Sequence, residues 1–306
     1  MFNAIRGAFS SPPPPQEDTP HPTIKKHKPI KTDYNSVPVS IPDDFLSVKT
    51  LEQPILYKPI DWSSTPIPEN EGKYAVILDN VLSQAECSAL ITLAESSVPL
   101  DNPTMRGSNG EPWMPALVNV GAGFEVLTPE YRRSARIVWD SEQIVSRLWE
   151  RIATVEEVKT ALAKVTGPKI VGNRYRDGNR EWELVRVNER LRFLRYGVGD
   201  FFRPHCDSPF VEKDHMDPEG PVKTLFTVHL YLNDSKAEVS DDNTEGVELV
   251  GGATTLFSTD ESRRYDVNPK AGRVLIFQHS GVLHSGDDVR AGVKFTVRTD
   301  IVYRML

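Results

Sequence analysis

Cysteine is scarce: the chain of 306 residues has two, Cys87 and Cys206. Two thiols cannot build a disulfide framework, which argues against a stapled secreted scaffold and for a reducing compartment. Long apolar runs are also missing. No stretch is long enough to span a bilayer, so no membrane partner is expected. Positive charge is in deficit, with 36 Lys and Arg against 43 Asp and Glu and a formal charge of −7. That balance lacks the basic footprint of a nucleic-acid binder, and no nucleic acid is expected as a partner. No internal repeat is visible. The opening residues, MFNAIRGAFSSPPPP, lack the apolar core of a secretory signal. The expected location is the cytoplasm or nucleus. Arg6, the nearby apolar residues and the lack of any acid before Glu17 leave a mitochondrial leader as the alternative. The short run KKHKPIK at 25–31 reads as a solvated tail, with a nuclear import signal as the other option.

With 39% hydrophobic and 26% charged residues, the chain fits one large globular domain, or one domain plus an appendage, long enough to bury a sizeable core. Residues 1–73 read as a disordered or extended Pro-rich region. Apolar residues scattered over 37–70, among them Phe45, Leu46 and Trp62, suit a segment that wraps the domain without folding alone. The domain itself is expected over 74–306. YAVILDNVL reads as a strand leading into a helix, and Ser83 with Glu86 forms a capping box. A second amphipathic helix spans 141–155, with Ile144, Leu148 and Ile152 on one stripe. Between the helices lies a Gly/Pro-rich candidate lid at 101–120, carrying Arg106 and Trp113. Trp113 is either a stacking surface for substrate or a local core aromatic. From Leu184 onward the pattern turns to short β-branched and aromatic runs separated by turn residues. The polar connectors 211–222 and 234–248 interrupt them. Two helices followed by six or more antiparallel strands predict a mainly β fold with flanking helices and a jelly-roll core.

The chemistry concentrates in RYGVGDFFRPHCD, residues 195–207. On a strand, residues i and i+2 share a face, so His205 and Asp207 converge. Cys206 points the other way and is not counted as a ligand. One imidazole and one carboxylate make two thirds of the facial site that holds non-haem Fe(II). The third ligand is another His: His215, His229, His279 and His284 lie downstream. His284 follows an apolar strand and precedes Gly286 at the rim of a turn, and His279 is its nearest competitor. Lys294 stands ten residues after His284 and shares a strand face with Thr296, Arg298 and Asp300. An inward lysine is costly unless it meets an anion, which a dicarboxylate such as 2-oxoglutarate would supply. The alternative is an outward-facing lysine on a solvated strand.

Together these pieces resemble the 2-oxoglutarate/Fe(II)-dependent oxygenases, specifically their prolyl 4-hydroxylase-like branch. VILDNVLSQAECSALI, YGVGDFFRPHCD, VHLYLND, GGATTLF, VNPKAGRVLIF and LHSGDDVRAGVKF occur in the family's order over roughly 75–305. The resemblance implies a double-stranded β-helix fold. It implies that His205, Asp207 and His284 ligate Fe(II). Lys294 and Tyr231 would hold the distal carboxylate of 2-oxoglutarate, and Tyr196 would contact the co-substrate near the metal. His229 would line the pocket, and Arg298 could share the carboxylate with Lys294. O2 would be the oxidant, with ascorbate in support. The implied reaction is hydroxylation of an unactivated C–H, foremost of a peptidyl proline, with tailoring of a small molecule as the alternative substrate class. Arg192 and Leu194 share the inward parity of Tyr196 and could face the substrate. Charged residues at 298 and 300, and the two connectors, depart from the family pattern. The oligomeric state is not legible in the sequence.

Overall fold

The computed structural model describes residues 28–100, 106–107, 109–121, 123–171, 180–212, 222–239 and 246–306. The N-terminal leader, the start of the basic run, His215 and much of the two polar connectors lie outside the described residues. The strands that build the site are, in chain order, β1 (Leu56–Pro59), β2 (Ala75–Asp79), β3 (Arg132–Arg133), β4 (Ala135–Asp140) and β5 (Trp182–Val187). They continue with β6 (Arg190–Tyr196), β7 (Phe201–His205), β8 (Val222–Tyr231) and β9 (Thr254–Phe257). The last are β10 (Arg264–Val267), β11 (Val274–Gln278), β12 (His284–Gly286) and β13 (Lys294–Met305). Among the helices of the described residues are α1 (Gln84–Ser96), α2 (Glu142–Ile152) and α3 (Glu156–Ala163), which flank them.

β1, β2, β11, β8, β13, β6 and β4 lie side by side, all antiparallel, in the larger sheet. β5 extends it against the far half of β13. The smaller sheet runs β10, β9, β12, β7, β3. The two sheets form the jelly-roll core that the sequence pattern predicts. β8 reads VKTLFTVHLY and is buried on both faces for most of its length. Such a strand needs cover on two sides. On the outer face, Val228, Leu230, Ile276 and Val297 pack with Leu90 of α1 and Ile144, Leu148 and Ile152 of α2. On the inner face, Tyr231, Leu275 and Phe277 meet Leu256 and Val267 of the smaller sheet. The Ser83–Glu86 capping box that starts α1 is formed in both directions. No helix of the described residues is long and apolar enough to cross a membrane.

Residues 28–73 lie along the domain. Ile30–Lys31 pairs with the strand Phe124–Val126, and β1 adds to the larger sheet beside β2. Phe45 and Leu46 enter the outer cluster, and Trp62 and Ile67 the inner one. Arg151 of α2 ties this segment to α1: its fully buried guanidinium donates to Glu86 at 2.6 and 2.9 Å and to the Ser47 carbonyl at 2.8 and 3.1 Å.

Gly272 turns the chain into β11 and brings it against the start of α1. It sits at φ +76°, and a Cβ there would lie 1.8 Å from the Leu82 carbonyl oxygen. Its own carbonyl accepts the Val81 N–H at 3.0 Å. Backbone meets backbone, so no side chain can yield. Gly272→Ala is expected to lower stability by about 2–4 kcal/mol, read from urea unfolding. A loss below about 0.5 kcal/mol would mean that the turn relaxes freely.

Candidate active site

His205 ends β7 and His284 begins β12, neighbouring strands of the smaller sheet. The two residues are direct partners in the strand register, and their ring centroids are 4.3 Å apart. Asp207 follows two residues later and returns to the same point. Its Oδ1 is 3.9 Å from His205 Nε2, and its Oδ2 is 3.6 Å from His284 Nε2. One ligand atom from each of the three lies within 4.8 Å of the others. His279, the competing candidate, is elsewhere: it follows β11 on the larger sheet and lies 3.3 Å from Asp300. Cys206, just past the end of β7, is exposed.

The outer partners of the histidines are backbone carbonyls. His205 Nδ1 lies 2.8 Å from the Arg203 carbonyl oxygen, and His284 Nδ1 lies 3.1 Å from that of Val282. A carbonyl only accepts, so each Nδ1 carries the proton and each Nε2 keeps its lone pair for a metal. Burial lowers the His205 pKa to about 3, with the nearby His284 adding to the effect and Asp207 opposing it. Burial lowers His284 as well, against Asp207 and the Val282 carbonyl. Both rings are therefore neutral ligands at neutral pH. Burial pushes the Asp207 carboxyl up, but the Arg298 guanidinium beside it outweighs that and holds it well below the usual carboxylate range. Asp207 Oδ2 accepts the Thr227 hydroxyl at 2.6 Å, and Oδ1 accepts Arg298 Nη1 at 2.6 Å. Two neutral imidazole nitrogens and one ionised carboxylate are the donor set of a facial Fe(II) site.

The inner face of the larger sheet supplies the second half of the site. Lys294 stands opposite Tyr196 on β6, and Thr296 lies between Leu194 of β6 and Tyr231 of β8. Lys294 is 2% exposed, and its Nζ sits 5.2 Å from the Tyr196 ring and 5.8 Å from the Tyr231 ring. Burial lowers its pKa to about 7, with only Asp287 pulling the other way. Thr296 Oγ1 and His229 Nε2 are buried with no hydrogen-bond partner among the described residues. A Cβ at Gly252 (φ +71°) would come 3.1 Å from Lys294 Cδ, so this glycine leaves room for the lysine stem. A buried cation with no paired acid among the described residues, beside unpartnered polar atoms, is the complement of a small dicarboxylate. The residues present thus fit both 2-oxoglutarate and iron. Lys294, Tyr196, Tyr231 and Thr296 would hold the co-substrate; His205, Asp207 and His284 would hold the metal.

His229 faces the same space, with its ring 4.9 Å from that of Tyr231. Arg298 is placed differently from a partner of Lys294. Its Nη groups reach Asp207 at 2.6 Å and Asp300 at 3.0 Å. Asp300 also receives Arg192 at 3.1 Å. The lid residue Trp113 is 2% exposed and sits in the outer cluster against Phe295, with its Nε1 donating to Glu95 at 2.7 Å. It is a core aromatic, and it does not face the metal ligands. Arg106 donates to the carbonyls of Val98, Pro99 and Gly110, which pins the lid's own loop. Thr227 is a site residue that sequence reasoning passed over. Thr227 shares the parity of His229 and Tyr231 on β8, and that parity could have found it.

Residues 191–299 match the family described as the 2OG-Fe(II) oxygenase superfamily. No curated protein matches the chain in sequence. Among solved structures, a prolyl-4-hydroxylase from Pseudomonas putida is similar at 16% identity and a TM-score of 0.44, over 77% of this chain and 96% of that one. A viral collagen prolyl hydroxylase from Paramecium Bursaria Chlorella virus-1 is similar at 19% identity and a TM-score of 0.40, over 76% of this chain and 98% of that one. A Trichoplax adhaerens prolyl hydroxylase, in complex with a peptide fragment of the hypoxia inducible factor oxygen degradation domain, is similar at 14% identity and a TM-score of 0.44, over 78% and 88% of the two chains.

Proposed function

The chain carries a 2OG-Fe(II) oxygenase domain and is a dioxygenase dependent on Fe(II), 2-oxoglutarate and O2, and on that premise we propose that it hydroxylates an unactivated C–H of a peptidyl proline. The carrying observation is the His205–Asp207–His284 cluster, built on one sheet, facing the buried Lys294 of the other. Bound there, Fe(II) would activate O2 as the oxidant, with two electrons coming from 2-oxoglutarate as it is converted to succinate and CO2 and two from the substrate C–H.

The chain's own residues prepare the site for that chemistry. The Arg203 and Val282 carbonyls hold the histidines in one tautomer. Thr227 and Arg298 fix the Asp207 carboxylate in place. Lys294 offers a positive charge at a buried position, where a charge acts strongly. The metal side is more open: the side chains of Arg192 and Arg298 are 29% and 22% accessible. Partly exposed side chains beside the metal ligands are consistent with a segment of polypeptide, and the ordered motifs of the prolyl 4-hydroxylase-like branch support proline as its target.

The test is succinate release from 2-oxoglutarate with Fe(II), O2 and ascorbate. One arm holds a pool of proline-containing peptides and the other a pool of amino acids and small metabolites, with His205→Ala as the blank. Peptide-dependent succinate, with one oxygen added to proline by mass spectrometry, is the expected result. Stimulation by metabolites alone would overturn the peptidyl reading in favour of a small-molecule tailoring oxygenase.

A further inference from the structure

The wall beside the metal ligands is rich in arginine. Arg192 and Arg298 are direct partners in the register of β6 and β13. Arg136 lies on β4 opposite Leu194, one row away. Arg132, on β3, is a register partner of Phe202 on β7. The guanidinium carbon of Arg132 lies 4.5 Å from the centre of the Phe202 ring, and that ring stacks on His205 at 3.7 Å. Arg132 thus stands one aromatic ring away from a metal ligand.

Its partners are weak. Arg132 donates to Ser134 Oγ and to the Leu117 carbonyl, both at 3.4 Å, and borders the Tyr196 hydroxyl. The acid that acts on it is Glu125, which Arg136 already holds at 2.6 Å. Burial lowers the Arg132 pKa to about 10, and Arg136 and Arg298 repel it further. Arg192 is also lowered by burial, and Arg298 and Arg136 oppose its charge.

Charge balance shows what is missing. Asp207 and the near carboxylate of 2-oxoglutarate neutralise a divalent iron, and the far carboxylate neutralises Lys294. Among the described residues, that leaves Arg132, Arg136, Arg192 and Arg298 with Glu125 and Asp300 as the acids beside them. Guanidinium groups held together without enough acid are costly, and a planar carboxylate relieves that cost by accepting two parallel N–H bonds. We propose that Arg132, supported by Arg192 and Arg298, receives a carboxylate of the substrate: an acidic side chain flanking the proline that is hydroxylated. The source of that carboxylate rests on the peptidyl reading above; the subsite itself does not.

The experiment uses the full chain and proline peptides that differ at one flanking position, Glu, Gln or Lys. Succinate release gives kcat/KM, and calorimetry with Mn(II) and 2-oxoglutarate gives Kd without turnover. The Glu peptide is expected to exceed the Gln peptide by about tenfold in both, with Lys weaker still. Arg132→Gln is expected to erase the Glu preference while the KM for 2-oxoglutarate moves by less than about twofold. Arg132→Lys keeps the charge without the fork and is expected to fall between. Thermal melting checks that both variants fold, and the peptide series on the unmodified chain stands without them. Equal Kd for Glu and Gln peptides overturns the proposal. So does an Arg132→Gln variant in which the KM for 2-oxoglutarate moves and that for peptide does not. A parallel arm compares free proline and glutamate with their amides. An acid-over-amide preference that Arg132→Gln abolishes, with no peptide turned over, upholds the carboxylate subsite and overturns the peptidyl reading alone.

Discussion

A chain carrying His284→Ala retains no iron after desalting and loses 2-oxoglutarate turnover, whereas His279→Ala still binds one iron per chain. The two histidines are five residues apart in one segment, so the contrast tests the site and not the region. His284 is the register partner of His205, with Nε2 3.6 Å from Asp207 and Nδ1 held by a carbonyl. His279 points at Asp300 from the other sheet. Loss of an outer partner of a metal ligand costs about 10–100-fold, and loss of a ligand itself exceeds that. Succinate release in His284→Ala should therefore fall by well over about 100-fold. Metal content by mass spectrometry and succinate by chromatography check the two halves. Iron kept by His284→Ala and lost by His279→Ala would reverse the assignment and remove the reason for placing Lys294 in the site.

Why the sequence left that choice open is instructive. His205 and Asp207 are two residues apart, and strand parity alone brings them together. His279 and His284 both follow apolar runs, and spacing does not tell which sheet a residue joins. That was settled by β12 pairing with β7 in the smaller sheet while β11 pairs with β8 in the larger. The jelly roll was legible for a similar reason: period-two runs and turn residues are local signals. Parity also put Lys294 and Arg298 on one face, as the structure has them, but it gives no partner for either. Four residues along a strand separate them by about 13 Å, far enough for one to serve an anion and the other a metal ligand. Trp113 illustrates the opposite limit. A Gly/Pro-rich loop has no period, so nothing in it shows whether an indole turns to the core or to the site.

Replacing Lys294 by Met is expected to strengthen the ligand-free fold and abolish tight 2-oxoglutarate binding in the same molecule. Burial holds the Lys294 pKa near 7, whereas an unfolded lysine titrates near ~10.4. The unfolded chain thus binds the proton more tightly. Ligand-free stability should rise as pH climbs from about 7 to about 10, because over that window the folded lysine is already neutral and the unfolded one is not. Lys294→Met removes this penalty, and at pH 7 it should gain about 2–4 kcal/mol in urea unfolding without ligand. Binding runs the other way. A dicarboxylate favours the ammonium, so its binding takes up a proton above pH 7. Affinity for 2-oxoglutarate should weaken by up to about tenfold per pH unit there, until the pKa of the bound lysine is reached. In Lys294→Met the Kd should rise by at least about 100-fold, since a buried anion then has no counter-charge. Calorimetry with Mn(II) in place of iron reads the affinity, and urea curves at pH 7 and 9 read the stability. A variant that is less stable than its parent at pH 7, and that still binds 2-oxoglutarate with parental affinity, would show that Lys294 is an ordinary packed side chain. The anion site would then have to be sought among the arginines.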